Sequence, residues 1–132
     1  MSLFLAILLA QTCHYGANGL QDPACTSGDF DDSLTVVDLC HGRTLPAIPE
    51  AAQQVVLEAY GADRAVIDHL IPACLGGNNS WYNVWPQQVG VHGTRKLERM
   101  LCHELCAGHV SLAMARALVM RWDYAAREAR WR

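Results

Sequence analysis

The chain has 132 residues, 52% of them hydrophobic and 17% charged, and carries a net charge of −3 from 10 Lys+Arg and 13 Asp+Glu. That length suits one domain, and the composition excludes a disordered polyelectrolyte, a collagen-like or coiled-coil chain, and a polycation that wraps nucleic acid by bulk charge. The charge is unevenly divided: residues 1–93 hold Arg43 and Arg64 against nine acidic residues, a net of −7, whereas residues 94–132 hold eight basic residues against four acidic ones, a net of +4.

Residues 3–10 (LFLAILLA) form an apolar run within the roughly 7–15 residues of an export-signal core and well short of the ~18 that span a bilayer. We read residues 1–19 as a leader and residues 20–132 as one domain of a secreted or periplasmic protein. A buried first strand is the alternative, because such runs resemble core strands. Six cysteines (Cys13, Cys25, Cys40, Cys74, Cys102 and Cys106) dispersed through a short chain fit a disulfide framework in an oxidising compartment. Cys13 either survives processing and pairs with Cys25 or leaves Cys25 free. The cytosolic alternative is a structural zinc site drawn from Cys74, Cys102, Cys106, His103 and His109. Spacing disfavours it, since Cys102 and Cys106 lie one turn apart inside a predicted helix.

Residues 11–30 lack periodicity and read as leader or loop. Residues 34–39 (LTVVDL) are β-branched and predict a strand. Residues 50–60 predict a helix with Ala52, Val55, Val56, Ala59 and Tyr60 on one face and Gly61 as its C-terminal cap. Residues 64–71 (RAVIDHLI) predict a strand that stops at Pro72, and residues 75–80 (LGGNNS) a loop. Residues 81–85 (WYNVW) predict a second strand that pairs back on the first and ends at Pro86. Thr94 can cap a helix reaching Ala107 with Leu97, Leu101 and Leu105 on its apolar face. Ser111 starts a last helix, to about residue 131, with a stripe of Leu112, Ala115, Leu118, Val119, Trp122 and Ala126 and its arginines mostly off that stripe. With no repeat or linker, these elements predict one α+β unit.

Asp68, His69, Asn83 and His92 follow in order around the Gly-rich loop. Cutting a phosphodiester requires a base to activate water, a cation to neutralise the transition state, and a scaffold that holds both. His69 is the candidate base, because a neutral imidazole is available near pH 7. A satisfied core histidine is the ordinary reading of such a residue, and the adjacent Asp68 shifts the balance toward chemistry. Alternation along a strand sends the two side chains to opposite faces, so both serve one site if a bend or bulge lies at the strand end.

Residues 67–72 (IDHLIP), followed by 75–79 (LGGNN) and 83–87 (NVWPQ), resemble the HNH endonuclease, or His-Me finger, family. In particular they resemble small exported bacterial members with a DHLIP, LGG and NxWPQ signature. The resemblance takes in Lys96-Leu97-Glu98, residues 105–108, Ser111-Leu112, Trp122, Cys40 and Tyr60-Gly61, and so spans roughly residues 40–122. It implies a small ββα-metal core with flanking helices, stabilised by disulfides. It also implies a metal-dependent endonuclease acting on DNA or RNA with little sequence preference. His69 would activate water, and Asn83 would orient His69 or steady the loop. Asp68 and His92 would hold one divalent ion, Mg²⁺, Mn²⁺ or a transition metal.

Cys40 and Cys106 match family positions and would pair. Cys74 and Cys102 stand where relatives usually carry other residues, often Ser or Glu and His, and their joint presence implies a second bridge, Cys74–Cys102. Thr94 stands where Lys is frequent. Arg95, Lys96 and Arg99 open the following helix, where positive side chains and free N–H groups favour phosphate. In this setting the basic segment reads as a backbone-binding track; taken alone it reads equally as a solvated helix face. Trp81, Tyr82 and Trp85 can stack on bases, with core packing the expectation for at least two. Two rivals follow from the departures and from the cysteines: a catalytically weakened nucleic-acid-binding module, and a small secreted disulfide scaffold that binds a protein.

Overall fold

The computed structural model describes residues 12–16, 19–89 and 95–121. Over these residues the fold is α+β, in the order α1 (Val36–Cys40), α2 (Glu50–Tyr60), β1 (Ala65–His69), a 3-10 turn (Ala73–Leu75), β2 (Val84–Gln88), α3 (Arg95–Cys106) and α4 (Leu112–Met120). The leader run of residues 3–10, His92, Thr94 and the last-helix stretch from Trp122 onward lie outside the described residues.

Helix α2 forms where its periodicity places it. Val56, Ala59 and Tyr60 are buried, and Gly61 closes the helix in the left-handed region at φ 61°. The Gly61 and Ala62 N–H groups donate to Glu58 and Leu57 carbonyls, the paired bonds of a Schellman end. Residues 34–39, expected as a strand, instead give the short helix α1. Thr35 and Asp38 explain the difference: the Thr35 hydroxyl accepts from the Asp38 N–H while the Asp38 carboxylate accepts from the Thr35 N–H. This capping box starts a helix, and the β-branched Val36 and Val37 it carries stay largely exposed.

Strands β1 and β2 pair antiparallel, from Ala65 opposite Gln88 to His69 opposite Val84. Pro86, expected to end the second strand, lies in its middle. Leu70 N–H donates to Asn83 O and Val89 N–H to Arg64 O. Alternation between those bonds makes Ile67 and Pro86 a non-hydrogen-bonded pair, so the N–H that proline lacks is not required there.

The N-terminal segment belongs to this core. Cys13 is fully buried, its N–H donates to Ala59 O at 2.9 Å, and its sulfur is bonded to Cys25. Tyr15 packs 4.9 Å from Tyr60 and 6.5 Å from Trp85, ring centre to ring centre, and its hydroxyl donates to Pro86 O. Burial, and then the neighbouring Tyr60, push the Tyr15 hydroxyl pKa up to about 12. Residues 12–16, which a leader of residues 1–19 would include, are thus packed against α2 and the hairpin.

Cys40–Cys106 ties α1 to α3, and Cys74–Cys102 ties the 3-10 turn to the middle of α3. With Cys13–Cys25 these bridges leave no free cysteine, so the zinc alternative lacks its thiolates. Three disulfides suit a non-cytoplasmic, oxidising environment. No helix among the described residues is long and apolar enough to cross a membrane.

Helix α3 buries Leu97, Leu101 and Leu105, as their spacing requires. In α4, Ala115 and Val119 are buried, and so is Arg116, which was expected off the apolar stripe. Its Nε donates to Leu75 O at 2.8 Å and its guanidinium lies 3.8 Å over the Phe30 ring, so it joins α4 to the Gly-rich loop and is not part of an exposed basic track.

Candidate functional site

Strand β1 ends in Asp68 and His69, and the chain must then return to begin β2. The return is built around Asn83, which is fully buried. Its Oδ1 accepts from the Ile71 N–H at 2.9 Å and the Asp29 N–H at 3.3 Å. Its Nδ2 donates to the carbonyls of Ile71 at 3.0 Å and Asn78 at 2.8 Å. A buried amide with both donors and its acceptor used is a brace. Of the two roles expected of Asn83, this is the loop-steadying one, and among the described residues no hydrogen bond joins it to His69. Gly77 permits the tight wrap, since a Cβ there would stand 1.7 Å from Ile71 O. Asn78 and Ser80 side chains bond the Asp29 carboxyl and hold it below the usual carboxylate range, which clamps the loop from a second side.

The loop so fixed presents Asn79 to His69. Asn79 Oδ1 lies 2.7 Å from His69 Nε2, and Asn79 Nδ2 donates to Pro46 O at 2.8 Å. A carbonyl oxygen only accepts, so the amide nitrogen faces Pro46 and the amide oxygen faces the ring. Nε2 therefore carries the proton of the neutral imidazole, and Nδ1 keeps the lone pair. The residue that orients His69 is thus Asn79, which the sequence shows only as one of the polar residues after Gly76-Gly77.

A cleft of about 650 Å³ opens beside His69. Asp68 and His69 both line it, together with Val66 and Ile67. Four consecutive β1 residues on one cleft mean that it runs along the strand edge. No bend or bulge breaks the strand there: pairing is unbroken through Asp68–Trp85 and His69–Val84. Burial raises the Asp68 carboxyl above its ordinary pKa, against the opposing pull of the His69 N–H, the His69 ring and the Arg95 charge. Glu98 on α3 and Arg43 from the segment before α2 line the same cleft. Glu98 and Cys102 are one turn apart, so the Cys74–Cys102 bridge holds this part of α3 against the 3-10 turn.

Arg95, Lys96 and Arg99 are exposed at the start of α3 and are not among the residues lining the cleft. Trp85 is buried in the core and Trp81 packs against it, whereas Tyr82 is 54% exposed. Asp68 and Glu98 are hard oxygen donors, the kind that suits Mg²⁺ or Mn²⁺. Among the described residues no group of three or more His, Cys, Asp or Glu is placed to hold a metal ion, and His92, the second expected ligand, lies outside them. Comparison with protein-family models, with curated proteins and with solved structures finds no match to this chain.

Proposed function

We propose that the protein is an exported, metal-dependent endonuclease of low sequence specificity with His69 as its general base. The observation that carries this reading is the arrangement of Pro46, Asn79 and His69, which in the neutral tautomer leaves the Nδ1 lone pair unused on a residue lining an open cleft that Asp68 also lines. Nδ1 accepts a proton from a water as that water attacks phosphorus. The P–O3′ bond breaks, and the departing oxygen takes a proton from solvent. Asp68 and His92 would hold one divalent ion, whose charge stabilises the transition state and the leaving oxygen when bound. The β1–β2–α3 order along the chain is compatible with the ββα-metal core that the DHLIP and NxWPQ motifs imply. Arg95, Lys96 and Arg99 supply exposed positive charge for backbone phosphates near the site. Residues 3–10 act as the export signal, and cleavage that preserves Cys13–Cys25 falls before Cys13.

Plasmid DNA and structured RNA, each incubated with Mg²⁺ or Mn²⁺ and with EDTA, provide the test. Nicking that needs the metal and falls by about 10²–10⁴-fold in His69→Ala supports the assignment. Undiminished cleavage by His69→Ala overturns the role of His69. Nucleic-acid binding without cleavage across a panel of divalent metals replaces the nuclease by a binding module.

A further inference from the structure

We infer that Arg43 is the cleft residue that receives a backbone phosphate of the nucleic acid. The inference rests on the nuclease reading for the identity of the ligand, and on the cleft itself for the residue. A phosphodiester approaching His69 enters a cleft that Asp68 and Glu98 also line. A positive side chain favours bringing a phosphate past two acidic residues, and among the described lining residues Arg43 is the one Lys or Arg. The basic residues of α3 do not line this space.

Arg43 is also held in a fixed pose. Its Nη1 donates to Ala73 O at 3.1 Å and to Gly77 O at 2.7 Å, on either side of the 3-10 turn's end. A guanidinium carries five N–H donors in one plane, so anchoring Nη1 to the loop fixes the direction of the edge formed by Nη2 and Nε. That planar edge matches two oxygens of a phosphate. The same two carbonyls belong to the loop that carries Asn79, so the phosphate donor and the support of the His69 ring are mounted on one piece of backbone. Rigid mounting of a charged donor lowers the cost of ordering it on binding.

The test measures binding of a fluorescein-labelled DNA duplex by anisotropy in EDTA over a range of salt, using the full mature chain, Arg43→Gln and Arg43→Lys, each checked by thermal melting. Loss of one phosphate contact lowers the slope of log K against log salt by about 0.9. Arg43→Gln is expected to show that loss with several-fold weaker binding. Arg43→Lys should keep the slope but bind less tightly, because a point charge replaces the fork. A slope unchanged in folded Arg43→Gln overturns the inference. If Arg43→Gln does not fold, mass-spectrometric mapping of wild-type arginines modified by a dicarbonyl reagent replaces it: the duplex must protect Arg43, and equal modification with and without DNA overturns the inference. Arg43-dependent binding by a protein that never nicks DNA rejects the nuclease reading alone, and nicking with an unchanged slope rejects the Arg43 role alone.

Discussion

His69 Nε2 lies 2.7 Å from Asn79 Oδ1, and that one contact fixes which ring nitrogen is free to accept a proton. It depends on the second bond of Asn79, to Pro46 O, because without it the amide could present its nitrogen to the ring.

Removing or charging Asn79 separates orientation from basicity. Asn79→Ala frees the ring and is expected to lower kcat on the order of tenfold to a hundredfold. Asn79→Asp places a carboxylate at the same position and favours protonated His69, so the acidic limb of the pH–rate profile moves to higher pH. Profiles with superimposable acidic limbs for wild type and Asn79→Asp would separate Asn79 from the reacting base.

Asp68 gives a prediction about stability. Burial raises its folded pKa above the ordinary 3.8, so the folded state binds the proton more tightly than the unfolded state. Stability then falls as pH rises from the unfolded pKa through the raised folded one. Asp68→Asn removes that loss and should raise the metal-free Tm at pH 7, with the gain vanishing below the unfolded carboxyl pKa. Added Mg²⁺ or Mn²⁺ should raise the Tm of the wild type and leave Asp68→Asn unchanged. A metal-induced shift of equal size in both proteins would remove Asp68 from the ligand set.

Asn83 tests the brace. Asn83→Ala leaves the Ile71 N–H and the Ile71 and Asn78 carbonyls without their partner inside the fold. The expected cost is about 3 kcal/mol or more, read from urea midpoints at unchanged m. A loss below about 1 kcal/mol would mean that the loop holds without Asn83.

The three disulfides should differ in weight. Non-reducing peptide mapping is expected to find Cys13–Cys25, Cys40–Cys106 and Cys74–Cys102. Chain entropy assigns about 4 kcal/mol to Cys40–Cys106, which closes a separation of 66 residues, and about 3 kcal/mol to Cys13–Cys25, which closes 12. Paired Cys→Ser variants measure the order. Under the proposed export, intact mass of the mature protein should also show a first residue before Cys13, and a mature chain beginning after it would break the first bridge.

Sequence alone determined the parts governed by local periodicity and backbone chemistry. The spacing of Val56, Ala59 and Tyr60 makes α2, Gly61 ends it, the Leu97, Leu101 and Leu105 stripe makes α3, and the polar Gly-rich loop makes the turn between the strands. Thr35 and Asp38 also carried a local helix signal, which the β-branched run obscured. Tertiary structure decided what depends on residues far apart in the chain. Asn79 can hold His69 only because Pro46, 33 residues earlier, offers its carbonyl, and Arg43 reaches Gly77 across 34 residues. Arg116 becomes a buried tie because Leu75, 41 residues away, needs a donor, and Pro86 fits mid-strand because the register spares its missing N–H. Each of these follows from satisfying a particular donor or acceptor, or from a register that spares a missing one. No pattern of residue types along the chain specifies which distant partner will meet it.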